Sequence, residues 1–219
     1  MNYVVTGFDE HYWNRWGISW IASLKELAKY QGTILVVDFG LPKPIKNELK
    51  ELGAFLLPGK GSSHRVGILN AIGEFAAKYP GVFAIWDADV YFQSNIDEIF
   101  DLANHKILAT EYPGFVACSH DQFVKIGNIQ KLATSFNDSF HNCLSFFPDS
   151  YTKVDATWNY TQVANLQELD HQKVIHPEGR IKALMIGKKI AFWERHPDIY
   201  ERYTISKPHS KSRLIKSTS

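Results

Sequence analysis

Val82-Phe83-Ala84-Ile85-Trp86-Asp87-Ala88-Asp89 is the stretch on which the fold assignment turns. Its five apolar residues follow the turn signal Tyr79-Pro80-Gly81, which predicts a buried strand entered from a turn. The strand then ends on two carboxylates separated by one small residue. Side chains two apart in extended backbone share a face, so Asp87 and Asp89 are held close. Like charges at that range destabilise each other unless a cation removes the conflict, and a divalent ion is the economical explanation. In open α/β sheets ligands bind beyond the carboxyl ends of the strands, where this pair would lie.

Upstream, strands and helices alternate. Tyr3-Val4-Val5-Thr6 reads as a first strand, and Tyr12 to Tyr30 as a helix with Trp16, Trp20, Leu24, Leu27 and Ala28 at i, i+3 and i+4 spacing, closed by Gly32. Ile34 to Val37 predicts a second buried strand, Pro42 to Leu52 a short helix with Gly53 just beyond it, and Ala54 to Leu57 a third strand. After the turn Pro58-Gly59-Lys60-Gly61-Ser62-Ser63, a helix from about Arg65 to Lys78 places Val66, Leu69, Ile72 and Ala76 inward. Such alternation implies a mostly parallel, Rossmann-like sheet with helices on both faces, the α/β class. Beyond Asn104 the pattern is less regular. Short strands are expected at Ile107 to Thr110 and Val174 to His176, and helical segments near Gln122 to Phe136 and Lys188 to Tyr203. One domain over 1–205 is expected, followed by a basic, serine-rich tail over 206–219 carrying Lys207, Lys211, Arg213 and Lys216.

Composition narrows the function classes. The chain has 219 residues, 45% hydrophobic and 14% aromatic, which excludes a disordered or fibrous protein. A net charge of +1 gives no global electrostatic case for nucleic acid. Cys118 and Cys143 show no Cys-x-x-Cys spacing, so neither a disulfide scaffold nor a zinc ribbon is indicated. The stretch Met1 to Gly7 has no basic region followed by a long apolar run, and no stretch reaches about 18 apolar residues. A soluble, cytoplasmic protein with no transmembrane segment is expected, and the basic tail suggests a peripheral contact with an anionic membrane as an alternative to a solvated end.

An Asp-x-Asp triplet by itself most often marks a solvated turn, but apolar residues flank this one on both sides. A second element lies in Val174-Ile175-His176-Pro177-Glu178-Gly179-Arg180-Ile181-Lys182. Imidazole is the commonest metal ligand, and His176 ends an apolar, strand-like stretch. Gly179 would let backbone approach a phosphate and Lys182 would add a point charge for it. Other residues carry bland readings, and for Arg65 the bland one is favoured on spacing alone. Asp9 can cap a helix and Tyr12 can be core, Arg65 can be a surface charge at a helix start, and Asp155 and Asn159 can cap and flank a helix near Thr157. The helical spacing of Trp13, Trp16 and Trp20 favours packing roles for them.

Asp87-Ala88-Asp89 followed by His176-x-x-Gly179-x-x-Lys182 resembles the metal and diphosphate motifs of the glycogenin-like glycosyltransferases, family 8, which have the GT-A fold. Val4 to Tyr12, running on to Ser23-Leu24-Lys25, is similar to that family's opening strand and nucleotide loop, and Asp155-Ala156-Thr157-Trp158-Asn159 to its acceptor-side motif. The pieces fall in the family's order between about residues 3 and 185. The resemblance implies a single GT-A-type domain and a transferase using Mn²⁺ or Mg²⁺, a nucleotide-sugar donor, UDP-linked in that family, and a glycan, glycolipid or glycoprotein acceptor. It places Asp87, Asp89 and His176 on the metal, and Thr6, Asp9 and Tyr12 around the base and ribose, with Asp87 also near the ribose. Gly179 and Lys182 would meet the diphosphate, Arg65 would lie near the donor, Asp155 and Asn159 would face the transferred sugar or acceptor, and Trp158, beside that motif, would be the aromatic platform for the sugar.

The resemblance also implies retention of anomeric configuration; an inverting GT-A enzyme would need a carboxylate base, for which Asp155 or Asp121 is available. The chain departs from the family in two places. Ala183-Leu184 follow Lys182 where family members carry Pro-Trp, and no Asn-Ser-Gly triplet occurs between Glu111 and Gly127. Two other classes compete. A haloacid-dehalogenase-like phosphatase would use Asp87 as nucleophile, but its site normally lies on the first strand and needs a later acidic pair. A non-catalytic sugar-nucleotide-binding module would keep Thr6 to Tyr12 without needing Asp89 and His176. A nucleotidylyltransferase is disfavoured because its glycine-rich opening is missing after Val5.

Overall fold

The computed structural model describes residues 1–60, 64–104, 106–110, 115–122, 151–159, 171–176 and 192–204. The chain opens with β1 (Asn2–Phe8), then a helical segment built of α1 (Glu10–Tyr12), a π-helical turn (Trp13–Gly17) and α2 (Ile18–Glu26). β2 (Thr33–Asp38), α3 (Lys43–Glu51), β3 (Ala54–Pro58), α4 (His64–Ala76) and β4 (Val82–Trp86) follow. Next come β5 (Tyr91–Phe92), α5 (Glu98–Ala103), β6 (Ile107–Ala109), β7 (Phe115–Ser119), β8 (Tyr151–Lys153), a 3-10 turn (Ala156–Trp158) and β9 (Val174–Ile175). α6 (Phe192–Arg195) and α7 (Pro197–Thr204) are the last described elements.

Seven strands form one sheet in the order β3-β2-β1-β4-β7-β6-β8. β1 pairs in parallel with β2 and β4, β2 with β3, and β6 with β8, whereas β7 is antiparallel to both β4 and β6. The mostly parallel α/β sheet expected from the alternation is therefore present. Its central strands are apolar on both faces because both are covered. Val4, Phe8, Ile34, Val36, Ala84 and Trp86 pack on one side with Trp20 and Leu24 of α2, Ile45 and Leu49 of α3, and Ile99 and Phe100 of α5. Val5, Leu35, Val37, Phe83 and Ile85 face Ile68, Leu69 and Ile72 of α4 on the other.

Two expectations change. Gly32 does not close the first helix, which ends at Glu26 with Leu27 and Ala28 both donating to the Ser23 carbonyl and Lys29 in the left-handed region at φ 55°. Gly32 is needed instead for close approach, since a Cβ there would lie 2.3 Å from the Tyr30 hydroxyl and 2.9 Å from the Asn2 carbonyl. The expected helix over Lys188 to Tyr203 is broken between Arg195 and Pro197; proline disfavours helical backbone at His196 before it. The helix expected near Gln122 to Phe136 and the tail over 206–219 lie outside the described residues. No described helix is long and apolar enough to cross a membrane. Cys118 is buried as a free thiol with its pKa pushed up by burial.

Phe39 lies in a slot whose walls are glycines. A Cβ would stand 2.6 Å from its ring at Gly7, 2.6 Å at Gly59 and 2.4 Å at Gly67, which belong to β1, the β3–α4 connection and α4. Alanine is worth about 1 kcal/mol over glycine in a helix, but forced overpacking costs about 1–3 kcal/mol. Gly67→Ala is expected to destabilise the protein by about 1–2 kcal/mol, and the same change to stabilise the Phe39→Ala variant. Urea unfolding of the four proteins checks the reversal of sign.

α6 and α7 rest on the sheet edge through Phe192 and Ile199, which meet Ala22, Tyr91 and Ile175. Arg202 Nη2 sits 3.0 Å from Glu26 Oε2, and the Tyr203 hydroxyl donates to Glu26 Oε1 at 3.2 Å. Burial, aided by Glu26, pushes the Tyr203 phenol up to about 12. Between the two helices, burial lowers the pKa of His196, as does Arg195, against an opposing pull from Asp198. The unfolded chain therefore takes up a proton below about pH 6.5 that the folded chain accepts only at lower pH, so stability falls as pH drops below that value. Urea midpoints at pH 7.5 and 5.5 should diverge in the wild-type protein and converge in His196→Gln; equal pH dependence in both would exclude His196 as the cause.

Candidate metal and donor site

The buried strand β4 delivers the two aspartates to its C-terminal end, beside the C-terminal end of β1. Trp20 of α2 reaches across and donates its indole N–H to the Asp87 carbonyl at 3.2 Å, fixing the backbone where the strand stops. Val90 is buried directly after Asp89 and the chain enters β5. β5 then pairs antiparallel with β9, Tyr91 opposite Ile175 and Phe92 opposite Val174. Gln93 N–H donates to the Lys173 carbonyl at 2.9 Å, and Phe92 N–H to Ser23 Oγ at 3.0 Å, extending the clamp at its end. This short pairing brings His176, the residue after β9, back to the aspartates.

His176 Nε2 lies 3.1 Å from Asp89 Oδ1 and 3.8 Å from Asp87 Oδ2. Asp89 is 6% exposed and His176 2%, so both groups have largely left water. One ligand atom from each of the three residues can be chosen with all of them within 4.8 Å of one another. Ligand bonds of about 2.0–2.6 Å to a divalent cation fit that spread. Two carboxylates and one imidazole, a mixed oxygen and nitrogen set, suit a hard or borderline cation such as Mn²⁺ or Mg²⁺. Arg65 Nη2 also meets Asp87 Oδ2 at 3.2 Å and offsets part of the negative charge.

A second group occupies the same end of the sheet. Asp9 caps α1, its Oδ1 accepting from Tyr12 N–H at 2.7 Å, while Oδ2 lies 3.3 Å from His64 Nε2. The His64 ring sits edge-on to Phe39 with centroids 4.5 Å apart and makes a second edge-type contact with Tyr12 at 6.0 Å. His64 and Arg65 are successive residues at the start of α4, so one helix end touches both Asp9 and Asp87. Thr6 is fully buried in β1, and its hydroxyl has no hydrogen-bond partner among the described residues. His64 and Phe39 join this group without belonging to any sequence motif. The histidine adjoining Arg65 was the available signal; nothing local marked Phe39.

The acceptor-like motif divides. Asp155 caps the 3-10 turn, its Oδ1 accepting from Thr157 N–H at 2.8 Å, and stays exposed. Asn159 is buried and its Oδ1 stands 3.0 Å from His176 Nδ1. Trp158 is 5% exposed within the core, leaving little ring surface for a sugar, and Lys173 Nζ already covers the ring at 5.3 Å. The Trp158 carbonyl instead accepts the Trp86 indole N–H at 3.0 Å. Gly179 and Lys182, expected at the diphosphate, lie outside the described residues.

No family model and no curated protein sequence matches the chain. Solved structures do. It is similar to the apo glycosyltransferase GlyE of Streptococcus pneumoniae TIGR4, with 14% identity, TM-score 0.60, and 82% of this chain covering 55% of that one. It is also similar to the galactosyltransferase LgtC in complex with donor and acceptor sugar analogues, with 10% identity, TM-score 0.65, and 98% of this chain covering all of that one. Mouse xyloside xylosyltransferase 1 in its apo form matches at 12% identity and TM-score 0.55, over 83% of this chain and 99% of its own. The chain thus spans little more than half of that GlyE chain. At these identities the shared property is the fold, the α/β GT-A fold of glycosyltransferases.

The buried Trp86 indole gives a direct check on the architecture of this end. Trp86→Phe keeps an aromatic ring but removes the N–H donor to the Trp158 carbonyl and part of the buried volume, and should cost about 1–3 kcal/mol or more in urea unfolding.

Proposed function

We propose that the chain is a metal-dependent glycosyltransferase that moves a sugar from a nucleotide-sugar donor to a hydroxyl acceptor. The observation that carries this reading is the convergence of Asp87, Asp89 and His176 beyond β4 in a GT-A sheet. Asp9, Tyr12 and His64 are suited to the nucleoside, because Tyr12 and His64 offer aromatic surface and Asp9 a carboxylate beside it, and the resemblance adds Thr6 to the same pocket. Arg65, already drawn to Asp87, is placed to bind diphosphate oxygens, and the expected Gly179 and Lys182 would add to it. The neighbour that was crystallised with donor and acceptor sugar analogues supports a sugar-nucleotide donor and a glycan acceptor here too; UDP and a retaining course rest on the family resemblance.

In the reaction the bond between the anomeric carbon and the diphosphate oxygen breaks, a bond from that carbon to the acceptor oxygen forms, and the acceptor proton is released. Asp87, Asp89 and His176 would hold Mn²⁺ or Mg²⁺, which when bound supplies Lewis-acid stabilisation of the leaving diphosphate. Arg65 stabilises the same charge as it develops. Asp155, exposed at the turn before the buried Asn159, is the proposed contact with the transferred sugar or acceptor.

Calorimetry of UDP binding tests the reading. Mn²⁺ should raise UDP affinity at least about tenfold in the wild-type protein, and Asp89→Ala should remove that gain. UDP binding indifferent to both metal and mutation would overturn the proposal. Turnover of an aryl phosphate that disappears in Asp87→Asn would point to the phosphatase instead.

A further inference from the structure

Asn159 stands behind His176, on the side of the ring away from the two aspartates. Its Oδ1 lies 3.0 Å from His176 Nδ1, and its Nδ2 donates to Thr110 Oγ1 at 3.3 Å. Asn159 is 1% exposed and Thr110 2%, so the chain of contacts is sheltered from water. An amide offers an oxygen that only accepts and an NH₂ that only donates. The NH₂ lies toward the Thr110 hydroxyl and the oxygen toward the ring, an arrangement that pairs with the His176 tautomer carrying its proton on Nδ1. A neutral imidazole with its proton on Nδ1 carries its lone pair on Nε2. That is the atom 3.1 Å from Asp89 and 3.8 Å from Asp87.

We propose that Asn159 is a positioning residue, which fixes the tautomer and ring orientation of His176 so that Nε2 can bind a divalent cation. The inference rests on the metal reading above and gives Asn159 a different role from contact with sugar. The backbone around it is anchored to both strands that carry the ligands. Lys173 N–H, next to β9, donates to the Thr157 carbonyl at 2.9 Å, and Trp86, the last residue of β4, donates its indole N–H to the Trp158 carbonyl. One short turn therefore holds His176 in place from behind while tying β9 to β4. Partners of this kind behind a ligating histidine typically change metal affinity 10–100-fold when removed.

Mn²⁺ alone, titrated by electron paramagnetic resonance into the full chain, is the test, with thermal melting in chelator as the stability control. Asn159→Leu should bind Mn²⁺ about 10–100-fold more weakly than wild type. Asn159→Asp, which keeps an acceptor oxygen for Nδ1, should stay within about threefold. If the leucine variant fails to fold, Thr110→Val, which removes the hydroxyl that the Asn159 amide contacts, should still weaken Mn²⁺ binding severalfold without a matching loss of melting temperature. Wild-type affinity in Asn159→Leu, or equal weakening of the leucine and aspartate variants in proportion to lost stability, would overturn the inference and leave the metal reading standing. A wild-type chain that takes up no Mn²⁺ would remove both.

Discussion

The two-residue pairing of β5 with β9 is the contact on which the site depends. Asp87 and Asp89 follow directly from β4, but His176 is remote in sequence, and only the ladder from Tyr91 to Ile175 and Phe92 to Val174 returns it to them. A two-stranded ribbon this short has little stability of its own. It is held by burial on both flanks. Phe92 packs edge-on against Trp20 and Trp86 with centroids 5.3 and 5.2 Å away, while Tyr91 and Ile175 lie under Phe192 and Ile199. The helix α2 that supports β5 through Ser23 also fixes the Asp87 carbonyl through Trp20. The three candidate ligands thus sit on backbone pinned by aromatic packing, the kind of support a precise ligand set requires.

The site is electrostatically demanding, and that shapes its surroundings. Two carboxylates gathered beside a buried imidazole would be costly without compensation. Arg65 supplies one positive charge from outside the triad. His64 next to it engages Asp9, so the start of α4 ties the cluster of Asp87, Asp89 and His176 to the Asp9 end of the site. The Phe39 ring closes this side in its slot of glycines, where the missing Cβ atoms of Gly7, Gly59 and Gly67 leave room for it. Lys173 plays a structural part, bridging the Trp158 ring and Glu98 at the edge of β9.

Much of this was legible in the residues because local chemistry and periodicity agree over the first half of the chain. β1 to β4 and α3 and α4 match the expected segments to within two residues at their ends, since apolar runs and caps are local signals. β5, α5, β7 and β8 escaped that reading. β5 is two residues long and β8 three, too short for a period, and Tyr151–Lys153 is exposed throughout. β7 is antiparallel beside β4, an arrangement that pairing decides and composition does not. Trp158 shows the same limit for a side chain. Aromatic character beside an acceptor-like motif suggested a sugar platform, yet the indole is spent on the core.

By itself the sequence determined that β4 is buried on both sides and ends on two aspartates, and that a parallel α/β sheet precedes it, because burial and spacing act along the chain. Its motifs also nominated His176 as the third ligand. Only the tertiary structure decided that His176 stands 3.1 Å from Asp89 and that Asn159 faces it from behind. The same holds for the link that His64 and Arg65 make between the two ends of the site. Those contacts join residues far apart in the chain, and the positions are set by strand pairing and aromatic packing, which composition at either end does not encode.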